Sequence, residues 1–346
     1  MKPMKILLVG NYLEGPGFNR SIWHDIANQL ERAGYEIIRT SKFANPFRRL
    51  VDMLITIWAR RQEYDVAQMD VFSGNAFIWA ELSARMLALL NKPFVITLHG
   101  GNLPKFYRNN RRRVSWLLKE ASAVTTPSCF LLGAFQEIRK DIQLIPNSLA
   151  IHLYPFIQRE NPNPNLIWLR AFHKIYQPEL APKVLDALLQ QFPQATLVMA
   201  GPDKEDGSRQ ITEKTATELG VSEKIEFTGR VEKSEVPNTL NRGDIFINTT
   251  TIDNTPVSVM EAMACGLCIV STNVGGIPYL LENGVDSLLV QPGNPEAMAQ
   301  AVRRILTEPG LAARLSSNAR KKAEQFDWKN ILPQWEHLFQ KLSVNA

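Results

Sequence analysis

The sequence predicts an α/β chain made of two Rossmann-like, doubly wound parallel-sheet domains. Three observations predict it. Short β-branched runs alternate with longer amphipathic segments, the pattern of parallel strands joined by crossover helices. The alternation comes in two series of about six strands, and two series mean two domains rather than one very wide sheet. The length of 346 residues suits two domains of ordinary size, each able to bury its own core.

The first series places strands at Lys5–Val9, Tyr35–Arg39, Val66–Met69, Pro93–Leu98, Ala123–Thr126 and Gln143–Ile145. A proline- and asparagine-rich stretch follows at residues 161–165. The pattern then restarts with Leu166–Leu169, Ala195–Ala200, Ile225–Thr228, Ile245–Asn248, Cys268–Ser271 and Ser287–Val290. The boundary falls between Pro146 and Pro164, which gives domains of 1–150 and 151–329. The tail, residues 330–346, holds an amphipathic segment, Asn330–Leu342, that carries Trp335 and Phe339. In such folds ligands bind beyond the carboxyl ends of the strands, so that is where chemistry is sought.

Composition narrows the function. With 45% hydrophobic and 21% charged residues the chain is globular, and its longest apolar stretches are too short to span a membrane. The opening MKPMKILLVG runs straight into a strand pattern without a small-residue cleavage site. No signal peptide is expected, and a cytoplasmic location is. Cys129, Cys265 and Cys268 make no disulfide framework. Cys265-Gly-Leu-Cys268 closes a helix, whereas a redox CxxC opens one. Without a second pair it is no zinc site either. Residues 1–150 hold 20 Lys and Arg against 12 Asp and Glu, and the remainder 19 against 22. That asymmetry predicts an anionic partner for the N-terminal half.

The most informative segment is Asp253–Gly276, DNTPVSVMEAMACGLCIVSTNVGG. Thr255 suits an N-cap, Pro256 the first helical position, and Gly266 the left-handed residue that ends a helix. The free N–H groups from Pro256 to Val259 form an anion site at the positive end of the helix dipole. Asp253 lies just outside the helix and Glu261 about one turn inside. Two carboxylates around such a helix start suit a hydroxyl-rich, phosphate-bearing ligand. An acidic cap on an ordinary helix is the plainer alternative.

Other strand ends add candidates. Gly15-Pro-Gly17 follows the first strand and is not a GxGxxG; a flexible loop explains it as well as a ligand loop. Thr97-Leu-His99-Gly100-Gly101 ends a strand with a histidine, a residue that is more often structural than catalytic in such a place. Arg170 ends the first strand of the second series, where its guanidinium fork fits two phosphate oxygens, and Lys174 follows four residues on. Gly201-Pro-Asp203 and Gly229-Arg230-Val231 end the next two strands, and Gly275-Gly276 opens a later helix. At residues 46–61, basic residues flank an apolar, tryptophan-containing core. It suits a helix lying on an anionic membrane surface or an ordinary helix packed on the sheet. Arg108, Arg111, Arg112 and Arg113 add charge. No nucleic-acid-binding motif accompanies these charges, and nucleic acid is not an expected partner.

Asp253-x7-Glu261, followed by Ala262-Met263-Ala264-Cys265-Gly266, resembles the acid-x7-acid signature of retaining glycosyltransferases of the GT-B fold, family 4, glycosyl transferases group 1. The resemblance follows the chain in order and is strongest in its C-terminal half. Asp253 stands where the family usually has Glu, and no Lys occupies the usual place five or six residues after Arg170.

The resemblance implies transfer of a sugar from a nucleotide-diphosphate-sugar, with retention, to a glycan or lipid-linked acceptor, in cell-surface polysaccharide or glycolipid synthesis at the inner face of the membrane. It implies that Glu261 binds the ribose hydroxyls and Asp253 the sugar. Arg170, Lys174 and the amides of Val257 and Ser258 would meet the diphosphate. Gly15 and Gly17 would let backbone approach diphosphate and acceptor, His99 would orient the sugar, and Gly229 and Arg230 would present backbone to the base. It also implies that the two domains face a central cleft and that the last helix returns to the first domain. With no Asp-x-Asp, no metal and no further cofactor is expected. Alternatives are a nucleotide-sugar epimerase of the same fold and a binding protein without catalytic activity.

Overall fold

The structure is a computed structural model, and it describes residues 4–12 and 22–344. The chain divides into two compact units, one of residues 1–148 with 328–346, the other of residues 149–327. Gly15 and Gly17 lie outside the described residues.

The N-terminal unit holds six parallel strands: β1 (Lys5–Val9), β2 (Glu36–Thr40), β3 (Val66–Val71), β4 (Phe94–Leu98), β5 (Ala123–Thr126) and β6 (Gln143–Leu144), in the order β2-β1-β3-β4-β5-β6. The C-terminal unit holds β7 (Asn165–Leu169), β8 (Thr196–Ala200), β9 (Ile225–Gly229), β10 (Ile245–Asn248), β11 (Cys268–Thr272) and β12 (Leu288–Val290), in the order β12-β11-β10-β7-β8-β9. All twelve strands anticipated from the sequence are present, with ends shifted by no more than two residues. Each unit is therefore a Rossmann-like sheet.

Burial explains why these runs read so clearly. A parallel sheet covered by helices on both faces needs apolar residues at consecutive positions. In β7, Leu166 and Trp168 enter the core on one face, while Ile167 and Leu169 enter the core on the other. Both sheets reverse their strand order once. The first does so between β1 and β3, the second between β7 and β10. At such a switch point the loops leave in opposite directions and open a crevice beyond the strand ends.

The helix at residues 46–59 shows strong local coding. Asn45 Oδ1 accepts from the N–H groups of Phe47 (3.0 Å) and Arg48 (3.1 Å), and Pro46 fills the first helical position. One face buries Arg49, Met53 and Ile57. The other leaves Phe47, Ile55 and Trp58 exposed at 74%, 59% and 56%. The helix thus packs on its unit and still presents an apolar stripe. The last helix, Trp328–Val344, belongs to the N-terminal unit, where Trp335 and Phe339 are buried. No helix of the described residues is long and apolar enough to cross a membrane.

Candidate functional site

The site builds around the switch point of the second sheet. Arg170 follows β7 directly, and its carbonyl leaves room only for a glycine just past the end of the neighbouring strand, β8. A Cβ on Gly201 would stand 1.7 Å from Arg170 O. The loop after β10 brings Asp253 to the same place. Arg170 Nη2 donates to Asp253 Oδ2 in an ion pair whose side chains are 12% and 11% exposed. Arg170 Nη1 lies 3.4 Å from Ser258 Oγ, and its guanidinium stacks 4.0 Å from the centre of the Tyr176 ring. Its Nε is buried without a hydrogen-bond partner among the described residues. Burial pushes the Asp253 carboxyl above the usual carboxylate range, while Arg170 and the Asn254 N–H pull the other way.

The helix expected from Thr255 starts later. It runs Val257–Cys265, and Pro256 occupies the capping position with extended backbone (φ −69°, ψ 119°). Thr255 is not the cap. The approach path decides this: Gly276 N–H donates to Asp253 O at 3.0 Å, and a Cβ on Gly276 would stand 2.0 Å from Asn254 O. The glycine pair thus packs directly on the 253–254 loop, and the helix begins after Pro256. Val257 and Ser258 then open it, with N–H groups that no intrahelical carbonyl can reach. At its other end Gly266 takes φ +79°, with Phe156 packed where a Cβ would be.

Glu261 lies one turn beyond Ser258 and is 4% exposed. It is held from two sides. Tyr154 Oη donates to Oε1 at 2.8 Å, and Lys233 Nζ meets the same oxygen. Neither partner was visible in the sequence, since they lie 107 and 28 residues away. Tyr176 was missed as well, although it stands six residues after Arg170.

The remaining candidates fall as follows. Lys174 is exposed, and its backbone N–H donates to Asp206 Oδ2 at 2.9 Å. That bond and the Ser208 contacts hold the Asp206 carboxyl down at about 2. Gly229 has φ +68° and accepts from Gly201 N–H at 2.7 Å. Arg230 Nε lies 3.7 Å from Glu232 Oε1. In the N-terminal unit, His99 stacks on Phe72 at 5.3 Å, and its Nε2 lies 3.2 Å from Asp70 Oδ1 without hydrogen-bond geometry. Cys265 and Cys268 are buried, which pushes both thiols up to about 12.

Residues 156–322 match the family model for glycosyl transferases group 1. The chain carries a glycosyl transferases group 1 domain. Arg170, Asp253, Ser258 and Glu261 all lie inside that group 1 domain. Its relatives include the D-inositol 3-phosphate glycosyltransferase of Streptomyces bingchenggensis, 31% identical over 115 residues, which are 33% of this chain and 25% of that protein. The D-inositol 3-phosphate glycosyltransferase of Rhodococcus jostii is 27% identical over 177 residues, or 49% of this chain and 39% of that one. These alignments take in well under half the length of the curated relatives.

Solved structures match more of the chain. Sucrose-phosphate synthase from Thermosynechococcus elongatus aligns with a TM-score of 0.82 at 18% identity, over 99% of this chain and 100% of that one. Anabaena HepE in complex with UDP-glucose aligns with a TM-score of 0.76 at 22% identity, over 98% and 100%. The fold around the group 1 domain is the GT-B fold.

Proposed function

We propose that the chain is a retaining glycosyltransferase. In this reading it moves a sugar from a nucleotide-diphosphate-sugar to a glycan or lipid-linked acceptor, in cell-surface polysaccharide or glycolipid synthesis at the inner face of a membrane. One observation carries the reading: a largely buried arginine, the Asp253 carboxylate and the open N–H groups of a helix start meet at the switch point of the group 1 domain, with Glu261 one turn further along that helix. HepE, a protein of the same fold, was solved with UDP-glucose.

The chemistry follows from what each group offers. The diphosphate takes the guanidinium of Arg170 and the N–H groups of Val257 and Ser258, with Lys174 as a further cation. Donors fixed in place before the reaction stabilise charge as it develops on the leaving oxygen. Protein cations and the helix dipole do this work, so the reading needs no metal. Glu261, held by Tyr154 and Lys233, accepts from the ribose hydroxyls. Asp253 accepts from the sugar hydroxyls, and His99 orients the sugar. Gly229 and Arg230 present backbone to the base, and Gly15 and Gly17 to diphosphate and acceptor. The bond between the anomeric carbon and the phosphate oxygen breaks as a new bond forms from that carbon to the acceptor oxygen on the same face, and the acceptor proton passes to the departing phosphate oxygen.

A thermal-shift panel of nucleotide-sugars is the test, since a ligand that binds the folded state raises the melting temperature. One nucleotide-sugar should raise it clearly, and incubation with that donor should release the nucleoside diphosphate without forming an epimer. A panel with no shift at millimolar donor would overturn the proposal.

A further inference from the structure

Beyond the carboxyl ends of β1 and β3, at the switch point of the first sheet, the N-terminal unit holds a cavity of about 290 Å³. Its wall is chiefly apolar, with Met53, Met69, Phe72 and Trp79 among the contributors. One cation interrupts it. Arg49, on the buried face of the 46–59 helix, is only 8% exposed. Its Nε donates to Phe43 O and its Nη2 to Ala44 O, both at 2.9 Å, and the guanidinium lies 5.2 Å from the centre of the Trp79 ring.

No carboxylate of the described residues forms an ion pair with Arg49. Asp70, the acid in the same wall, accepts instead from Gln68 Nε2 at 3.4 Å, and His99 Nε2 lies 3.2 Å from its Oδ1 without hydrogen-bond geometry. A buried guanidinium without a counter-ion costs stability. Two backbone carbonyls offset part of that cost, and an anion entering the cavity would offset more. Any such ligand must also cover apolar wall.

We propose that this cavity binds a phosphate-bearing amphiphile, with the phosphate on Arg49 and the apolar body against Met53, Met69 and Trp79. The binding site stands on the cavity alone; its meaning as the acceptor site rests on the glycosyltransferase reading.

Calorimetric titration of the full chain with geranyl phosphate, geraniol and inorganic phosphate separates the contributions. Geranyl phosphate should bind at least roughly tenfold tighter than either of the others, as a charge-assisted contact added to apolar burial requires. Arg49→Gln keeps donors for the two carbonyls and should bring geranyl phosphate down to the level of geraniol. Ala76→Phe, which fills the cavity from its rim, should abolish binding of both. UDP-glucose titrated in parallel should be unaffected by either variant.

Equal affinity for geranyl phosphate and geraniol overturns the proposal, as does inorganic phosphate binding as tightly as geranyl phosphate, which makes the site a simple anion hole. Should Arg49→Gln fail to fold, the wild-type ligand series and Ala76→Phe decide. Geranyl phosphate binding without any nucleotide-sugar binding would support the cavity and sink the donor reading; the converse would do the reverse.

Discussion

Arg170 and Asp253, 83 residues apart in sequence, meet as a buried ion pair at the switch point of the second sheet. The Tyr176 ring supports the guanidinium from one side. Asp253 therefore holds Arg170 in place before any ligand arrives, and it also keeps a buried cation from standing alone. Truncating one partner of such a pair leaves the other charge uncompensated, at a cost of about 3–5 kcal/mol. Asp253→Ala should lower the urea midpoint of the C-terminal unit accordingly. An unchanged midpoint would mean that solvent reaches Arg170 and that the pair contributes nothing.

Glu261 shares one oxygen between Tyr154 and Lys233. Glu261→Gln removes its charge and should weaken nucleotide-sugar binding by roughly ten- to a hundredfold, the worth of a hydrogen bond to a charged group. Lys233→Met removes only the cation and should cost less, because Tyr154 still holds the carboxylate. Calorimetry on both variants orders the two effects. A larger loss for Lys233→Met would make the lysine, rather than the carboxylate, the ligand's main contact.

The thiols should separate cleanly. Cys129 is exposed, while burial raises both Cys265 and Cys268 to about 12. Because the thiolate is the reactive form, iodoacetamide at pH 8 should modify Cys129 alone in the folded protein. All three should react in denaturant. Rapid native labelling of Cys265 or Cys268, read by mass spectrometry, would contradict the buried placement of the CxxC.

Asp206 fastens the turn that carries Lys174 and Tyr176. Its folded carboxyl is depressed to about 2. A depressed acid stabilises the folded state above its unfolded value and loses that effect as pH falls through its folded value. Asp206→Ala should therefore melt below the wild type at pH 7, with the gap closing between about pH 4 and pH 2. A gap of constant size across that range would show that packing, not charge, makes the difference.

What the sequence made legible follows the range of the forces involved. The strands could be read because burial on both faces writes long apolar runs. The Gly266 stop could be read because a left-handed backbone favours glycine. The helix begins at Val257, one residue later than the Thr255-Pro256 pattern suggested, beside a loop packed so close to Gly275 and Gly276 that neither has room for a Cβ. The same kind of pattern describes Asn45-Pro46. Tyr154 and Lys233 left no trace, since a contact between distant segments has no period or spacing. Asp253 and Glu261 were found by their spacing, but their partners emerge only from the folded chain.

The N-terminal unit is sewn from both ends of the sequence, while residues 149–327 form their unit without interruption. During synthesis, then, the second unit to leave the ribosome is the first that can finish folding. Domains fold as units once their residues are available. The earlier sheet must wait for residues 328–344, which bring Trp335 and Phe339 to seal it. Until then its apolar flank stays open to chaperones and proteases. A chain stalled or truncated before residue 328 would lack the helix that places Trp335 and Phe339 in the N-terminal unit, however well residues 149–327 had folded.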